Sequence, residues 1–434
     1  MTAQDTDTDT DTDTDTAHGG RLERVDPIPD IDLADPDPAR AAELDRVLAG
    51  LRGRCPVFWH GPKSRPGFWA VVSYAETVQV YRDAATFSAT HGMTVDSLHP
   101  EPDPASGMMV EVTDPPEHRR LRRAVGGFFA DGTVGELEPA VDAYVRTLLT
   151  RVRDGGGEVD FVEAVAARIP THAAGLLLGL PEADLEWITD RTTRVFHSRL
   201  RAGADGALRA EADQANAELL GYFAKLLRRA KRGGGPNVIV QRLAEGSGSR
   251  DGLNTGEAVL NALNLAIGGT TTTRALLTNL VRALTEQPEV FTRLRAEPDA
   301  VPTAVEEAVR WANPVRHLAR VAARETRLGG QLIAAGDPVL VWPRSANRDE
   351  SVFDRPDVFD VRRHPNPHIG FAAGPHSCPG TGLARVQIRA VLRHAVELFS
   401  ALEPAGPPEV AQSNFLYGHE RLPVRFVAAP PRFT

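Results

Sequence analysis

The sequence predicts a mainly α chain with a small β region. Three observations carry that expectation. From Pro116 onward the patterning is mostly helical. One stretch, from about Asn254 to Gln287, reads as a single long helix closed by Pro288. Short runs at Trp69–Ser73, Val321–Ala323 and Val339–Trp342 read as strands, enough for a small sheet region.

Taken in order, the chain begins with an acidic segment in which Asp and Thr alternate from Asp5 to Thr16. Such low-complexity composition cannot bury a core, so residues 1–25 are expected to be a disordered tail. They lack the positive and apolar regions of a signal peptide. Pro27 to Pro38 reads as an extended lead-in. Residues 26–434 are expected to form one domain: 42% of the 434 residues are hydrophobic, ample for a large core. Glycine breaks at Gly155–Gly157 and Gly233–Pro236 read as loops within it. The only cysteines are Cys55 and Cys378. That argues against a disulfide framework and fits a reducing compartment. Cys55, before Pro56, reads as structural. A net charge of −9 argues against general nucleic-acid binding. No apolar run approaches the roughly 20 residues of a membrane span. A soluble, cytoplasmic protein is expected.

Four segments carry chemistry. Asp114-Pro115-Pro116-Glu117-His118-Arg119-Arg120-Leu121-Arg122 places His118 and Arg122 one helical turn apart, where both can hold one anionic group. In the long helix, Asn254 and Glu257 form a capping-box pattern. The interior Gly268-Gly269-Thr270-Thr271-Thr272-Thr273 is poor helix-forming sequence and predicts a functional distortion. Next comes Thr303 to Pro314, read as a helix with Thr303 at its N-cap. Glu307 and Arg310 share a face there and can pair. Last is Phe371-Ala372-Ala373-Gly374-Pro375-His376-Ser377-Cys378-Pro379-Gly380. Gly374 permits a sharp turn, and Pro379 is read as opening a helix over Thr381–Arg389. Cys378 would then be the N-cap, where the helix dipole favours a thiolate. Phe371 can shield the sulfur and Gly380 admits a flat ligand, an arrangement suited to an axial thiolate on haem iron.

This last segment resembles the haem loop of cytochromes P450, Phe-x-x-Gly-x-(His/Arg)-x-Cys-x-Gly, at every fixed position. The resemblance extends over roughly residues 26–434 and places the chain with the soluble bacterial type. It implies the P450 fold, with the long central helix over a buried haem b and Cys378 as the iron ligand. Glu307 and Arg310 match the family's structural Glu-x-x-Arg. His118, Arg122, Arg320 and His376 match propionate contacts. Gly268 and Gly269 match the oxygen groove, and Thr272 the threonine whose hydroxyl organises protons and waters there. The implied activity is that of a monooxygenase inserting oxygen from O2 into a small natural-product-type molecule, or coupling it oxidatively.

Two residues depart from the family. Thr271 stands where an acidic residue is usual. Waters or another polar side chain could replace it, or the enzyme could run peroxide- or nitric-oxide-dependent or ring-forming chemistry. Pro379 lacks an N–H, which removes one hydrogen bond from the sulfur and should lower the haem potential. By analogy, the substrate would meet Met108 and Met109, Asn264 and Ile267 of the central helix, Val315, Arg316 and His317, and Phe415 and Leu416. Asn264, Arg316 and His317 make that pocket polar. The expected substrate therefore carries a carboxylate or several hydrogen-bonding groups, as amino-acid-derived or polyketide intermediates do, and arrives free or bound to a carrier protein. Electrons are expected from a ferredoxin or flavodoxin with its reductase. An acidic partner would be steered to Arg119, Arg120, Arg122, Arg123, Arg385 and Arg389. A haem sensor without turnover is the rival from another class.

Overall fold

The computed structural model describes residues 31–35, 37–61, 66–200, 206–232, 243 and 252–430. The acidic tail, residues 27–30 of the lead-in and the Gly233–Pro236 break lie outside the described residues. Within them the architecture is mainly helical with small sheets.

The central helix spans Thr255–Glu286 without interruption. Asn254 caps it: its side chain accepts from the Glu257 N–H at 3.0 Å, and Glu257 returns a bond from the Asn254 N–H at 2.8 Å. The expected distortion at Gly268–Thr273 does not break the helix. Three threonine hydroxyls bond back along it: Thr270 to Ala266 O, Thr271 to Ile267 O and Thr272 to Gly268 O. This back-bonding lets hydroxyl-bearing residues sit inside a helix with their polar groups satisfied. The C-terminal half of the helix, including Leu276, Leu277, Leu280, Val281 and Leu284, is buried in the main core. Helices Arg168–Leu178 and Gly206–Lys231 pack against it, while Asp131–Asp154 packs on Thr381–Leu398.

The expected strands are present with shifted ends. In a five-stranded sheet, Val57–His60, Phe68–Val71, Pro338–Val341, Leu318–Ala322 and Phe87–Ser88 lie side by side in that order. Arg320 therefore sits inside a strand, and its position in the sheet is set by pairing with Val339. A second sheet, Glu158–Asp160, Pro423–Ala428 and Phe399–Pro404, joins the C-terminus to the helical core and has no counterpart among the expected elements.

Two helix starts differ from expectation. The Glu307 helix spans Val301–Trp311 with Ala300 at its N-cap. Thr303 is therefore inside its first turn, and its hydroxyl donates to Ala300 O and Val361 O. The helix after the cysteine loop spans Thr381–Leu398, with Gly380 at its N-cap. Cys378 and Pro379 precede that cap, so neither holds the helical position expected of it.

Candidate haem-thiolate site

The cysteine loop is built by local backbone chemistry. Gly374 has φ +71°, and a Cβ there would lie 2.4 Å from Tyr81 O, so only glycine fits this turn. The Cys378 N–H donates to Phe371 O at 2.9 Å, closing the loop. Above Phe371 lies the Arg385 guanidinium, 5.0 Å from the ring centroid, itself held by Glu306 at 2.7 Å. The Glu306 carboxylate also meets His368; although burial opposes its charge, these partners carry its pKa down to about 2. Cys378 is accessible, yet protein surrounds it closely enough that burial pushes its thiol pKa up. The sulfur therefore borders an internal space. The Gly380 N–H and the Arg122 charge act in the opposite direction and favour thiolate.

Around this space the basic residues predicted from sequence come together. His118 is buried on helix Glu117–Gly126, its ring 4.2 Å from that of His376. Both His118 ring nitrogens and His376 Nε2 are buried without a hydrogen-bond partner. Burial and neighbouring cations hold both histidines neutral, His376 down to about 2. Arg320 is buried and, among the described residues, makes one side-chain hydrogen bond, to Ala319 O. Burial also lowers the Arg122 pKa. Buried ring nitrogens without partners, beside buried cations, call for an anionic group with several oxygens. Haem propionates fit that requirement. On the central helix, a Cβ at Gly268 or Gly269 would meet nothing within 4 Å, which leaves room for a flat group against the helix. A Cβ at Gly380 would meet Cys378 Sγ and Phe129 only at 3.8 Å, so no protein neighbour forbids a side chain there.

The Glu307–Arg310 pair is fully buried. Arg310 Nε and Nη2 donate to the two carboxylate oxygens at 2.8 Å, and Nη1 donates to Asn347 O and Pro356 O. Sequence reasoning missed the rest of this network. Arg363, the Asp360 N–H and Asn366 also donate to Glu307. Nothing in their local sequence marks them, because only tertiary contact unites them.

The expected substrate residues divide. Asn264 and Ile267 retain accessible surface on the central helix, whereas Asn261 is buried and structural. Its side chain donates to Met108 O and accepts from the Val110 N–H, which pins the segment carrying Met108 and Met109. Met108 is itself exposed. Val315 bridges to Leu416, and Phe415, Leu416 and Val315 form one apolar cluster. Leu416 and Thr271 line one cleft, together with Arg274, His419 and Glu420.

Arg316 and His317 are corrections. Arg316 is buried with its guanidinium on Ser413 O, beside Asp45, Arg344 and Tyr417. Burial lowers its pKa to about 10. His317 is buried between Trp342 and Phe415 and accepts from the Val95 N–H at 3.0 Å. Both hold loops together. The basic docking surface is also smaller than expected. Arg120 is bound by Glu117 and Glu257, Arg385 by Glu306 and Arg389 by Glu138. Arg119 and Arg123 are exposed.

Sequence reasoning also missed Glu111. It follows Val110 in a single helical turn, and with the Asn264 amide assigned the orientation that satisfies both groups, its nitrogen donates to both carboxylate oxygens, at 3.0 and 2.8 Å. Burial raises its pKa to about 7, against the pull of Asn264 and Arg320. The available signal was a lone carboxylate inside the apolar run Met108-Met109-Val110-Glu111-Val112, since such residues are rarely buried without a partner.

Comparison with known proteins agrees with this geometry. The family description Cytochrome P450 matches residues 228–424. Cytochrome P450 NovI of Streptomyces niveus is 36% identical over 91% of this chain and 96% of its own. The chain is a cytochrome P450. Among solved structures, P450 OxyD, involved in the biosynthesis of vancomycin-type antibiotics, superposes with a TM-score of 0.80. It is 32% identical, over 92% of this chain and all of its own. P450BioI, solved with an acyl carrier protein bearing hexadec-9Z-enoic acid, gives 0.81 at 28% identity, over 89% and 100%. This P450 is a monooxygenase of the bacterial type, and the family uses haem with a thiolate ligand. Among the described residues no helix is long and apolar enough to cross a membrane.

Proposed function

We propose that this P450 binds haem b through the Cys378 thiolate and oxidises a small natural-product intermediate that is either free or tethered to a carrier protein. The observation that carries the cofactor assignment is the set of buried, unsatisfied donors at His118 and His376, beside Arg122 and Arg320, around the space that Cys378 borders. Haem, when bound, supplies the activation of dioxygen for insertion of one oxygen atom into the substrate.

This chain's own residues do the rest. The Phe371 carbonyl and the Gly380 N–H fix and stabilise the sulfur. His118, Arg122, Arg320 and His376 hold the two propionates. The open face at Gly268 and Gly269 admits the small reactant to the helix. Thr272 holds its hydroxyl proton on Gly268 O and can release it toward that face. Thr271 has no acid function. Thr271 shares a largely apolar cleft with Arg274 and Glu420, and those two side chains would be the proton-carrying groups of ordinary monooxygenation. Met109, Ile267, Val315, Phe415 and Leu416 would supply apolar contacts to the substrate. A separate ferredoxin or flavodoxin, with its reductase, would deliver electrons.

The assay is the ferric absorption spectrum during titration with terpenes, fatty acids, macrolides, aromatic acids and amino acids, each free and carrier-bound. A blue shift of the main haem band with one class supports the reading and names that class. A response only to carrier-bound ligands assigns the enzyme to tethered substrates. Failure of Cys378→Ser to abolish the thiolate-type spectrum would overturn the ligand assignment.

A further inference from the structure

Glu111 is a carboxylate closely surrounded by protein that the cofactor assignment leaves without a role. Its position is fixed from several sides. Val110 and Val112 on either side of it are buried. Asn261 holds Met108 O and the Val110 N–H, and the Thr113 hydroxyl bonds Met109 O. Asn264, one turn along from Asn261, clamps both carboxylate oxygens through one amide nitrogen. Gly268 lies four residues beyond Asn264, on the same helix face. Glu111 retains accessible surface although protein surrounds it. The Asn264 contact and the shared face with Gly268 place the carboxylate beside the open stretch of the central helix.

No lysine, arginine or histidine pairs with Glu111 among the described residues. Arg320 acts on it only through space. An ionised carboxylate buried without a cation is costly, and an incoming cation would relieve that cost. Two other roles fit the geometry less well. A propionate contact would set like charges together. Replacement of the acid missing at position 271 would require proximity, yet Thr271 is seven residues along the helix from Asn264, roughly 10 Å by helical rise.

We propose that Glu111, oriented by Asn264, is a recognition site for a protonated amine on the substrate. This rests on the haem-binding reading above and narrows it. It also revises the expected pocket: with Arg316 and His317 committed elsewhere, the polar group facing the substrate is an anion, so a substrate carboxylate is disfavoured at this position.

The test uses the haem-loaded enzyme and matched ligand pairs that differ only in an amino group: phenylalaninamide against 3-phenylpropionamide, with equivalent pairs on branched alkyl and terpenoid bodies. Binding is read by calorimetry and by the haem band, in wild type and Glu111→Gln. At least one amine should bind wild type about tenfold or more tightly than its isostere, and Glu111→Gln should remove that preference while leaving the isostere's affinity unchanged. If no amine outbinds its isostere, whether or not either binds, the proposal is overturned. Equal amine preference in Glu111→Gln overturns it too, as does a red shift persisting in the variant, which marks amine coordinated to iron. The reduced carbon-monoxide spectrum of both proteins separates these outcomes: without a thiolate-type band the haem-binding reading itself fails.

Discussion

Replacing Glu307 with Gln should remove the anion from a buried network while preserving its shape. The two carboxylate oxygens accept from Arg310 Nη2 and the Asp360 N–H on one side, and from Arg310 Nε and Asn366 on the other; Arg363 Nε reaches both. A glutamine amide nitrogen must face one of these donor sets, whichever way it turns. Arg310 and Arg363, both buried, then lose their common counter-charge. Breaking a buried ion pair from one side costs about 3–5 kcal/mol, and each buried donor left without an acceptor about 1–3 kcal/mol. These contributions overlap, so about 3 kcal/mol is the lower bound, against a total stability on the order of 5–15 kcal/mol. Urea unfolding of the haem-loaded protein, followed by tryptophan fluorescence with haem retention read in parallel, measures it. Asn366→Ala removes one 3.1 Å bond from the same carboxylate and should lose about 1 kcal/mol. It supplies the measurement if Glu307→Gln fails to fold. A loss below about 1 kcal/mol in Glu307→Gln, or none in Asn366→Ala, would refute the claim that this network stabilises the core.

Three further outcomes are expected. Thr271→Asp places a carboxylate in the cleft with Arg274 and Glu420 and should change the coupling of reductant to product; unchanged coupling and product ratio would show that position 271 does not govern proton supply. Pro379→Leu adds an N–H beside the sulfur and should raise the haem reduction potential, which potentiometric titration reads directly. Charge reversal at Arg119 and Arg123, both exposed on one helix, should slow reduction by an acidic ferredoxin by roughly an order of magnitude at low ionic strength, with the difference fading as salt is added. Equal rates at low salt would remove these two arginines from the docking surface.

What the sequence made legible was local. The Asn254–Glu257 capping box, the glycine turn at Gly374 and the i, i+3 pairing of Glu307 with Arg310 each depend on residues a few positions apart. Glu307 takes the buried arginine, while its neighbour Glu306 turns to His368 and Arg385. The misreadings share one cause. Thr303 and Cys378 carry cap-like chemistry, but the actual caps are Ala300 and Gly380, set by how neighbouring turns enter each helix. The sheet formed by Glu158–Asp160, Phe399–Pro404 and Pro423–Ala428 depends on pairing between distant segments, which no local pattern encodes.

The pocket illustrates the limit most directly. Residue type indicated polarity near the substrate, but direction decides its sign. Arg316 and His317 stand beside Phe415 in the fold, yet their polar atoms serve Ser413 O and the Val95 N–H. With Arg316 and His317 engaged elsewhere, Asn264 is left with Glu111, and the polar character of that wall becomes acidic. The other hydroxyl-bearing wall, at Thr271, opens to a cleft holding both Arg274 and Glu420. The two regions, about two helical turns apart, can therefore divide the work. One recognises charge on the substrate and the other carries protons inward. A family position that has lost its acid need not lose proton supply, and a carboxylate near the substrate need not be its replacement. Glu111→Gln and Thr271→Asp separate the two, because the first should move ligand preference and the second coupling.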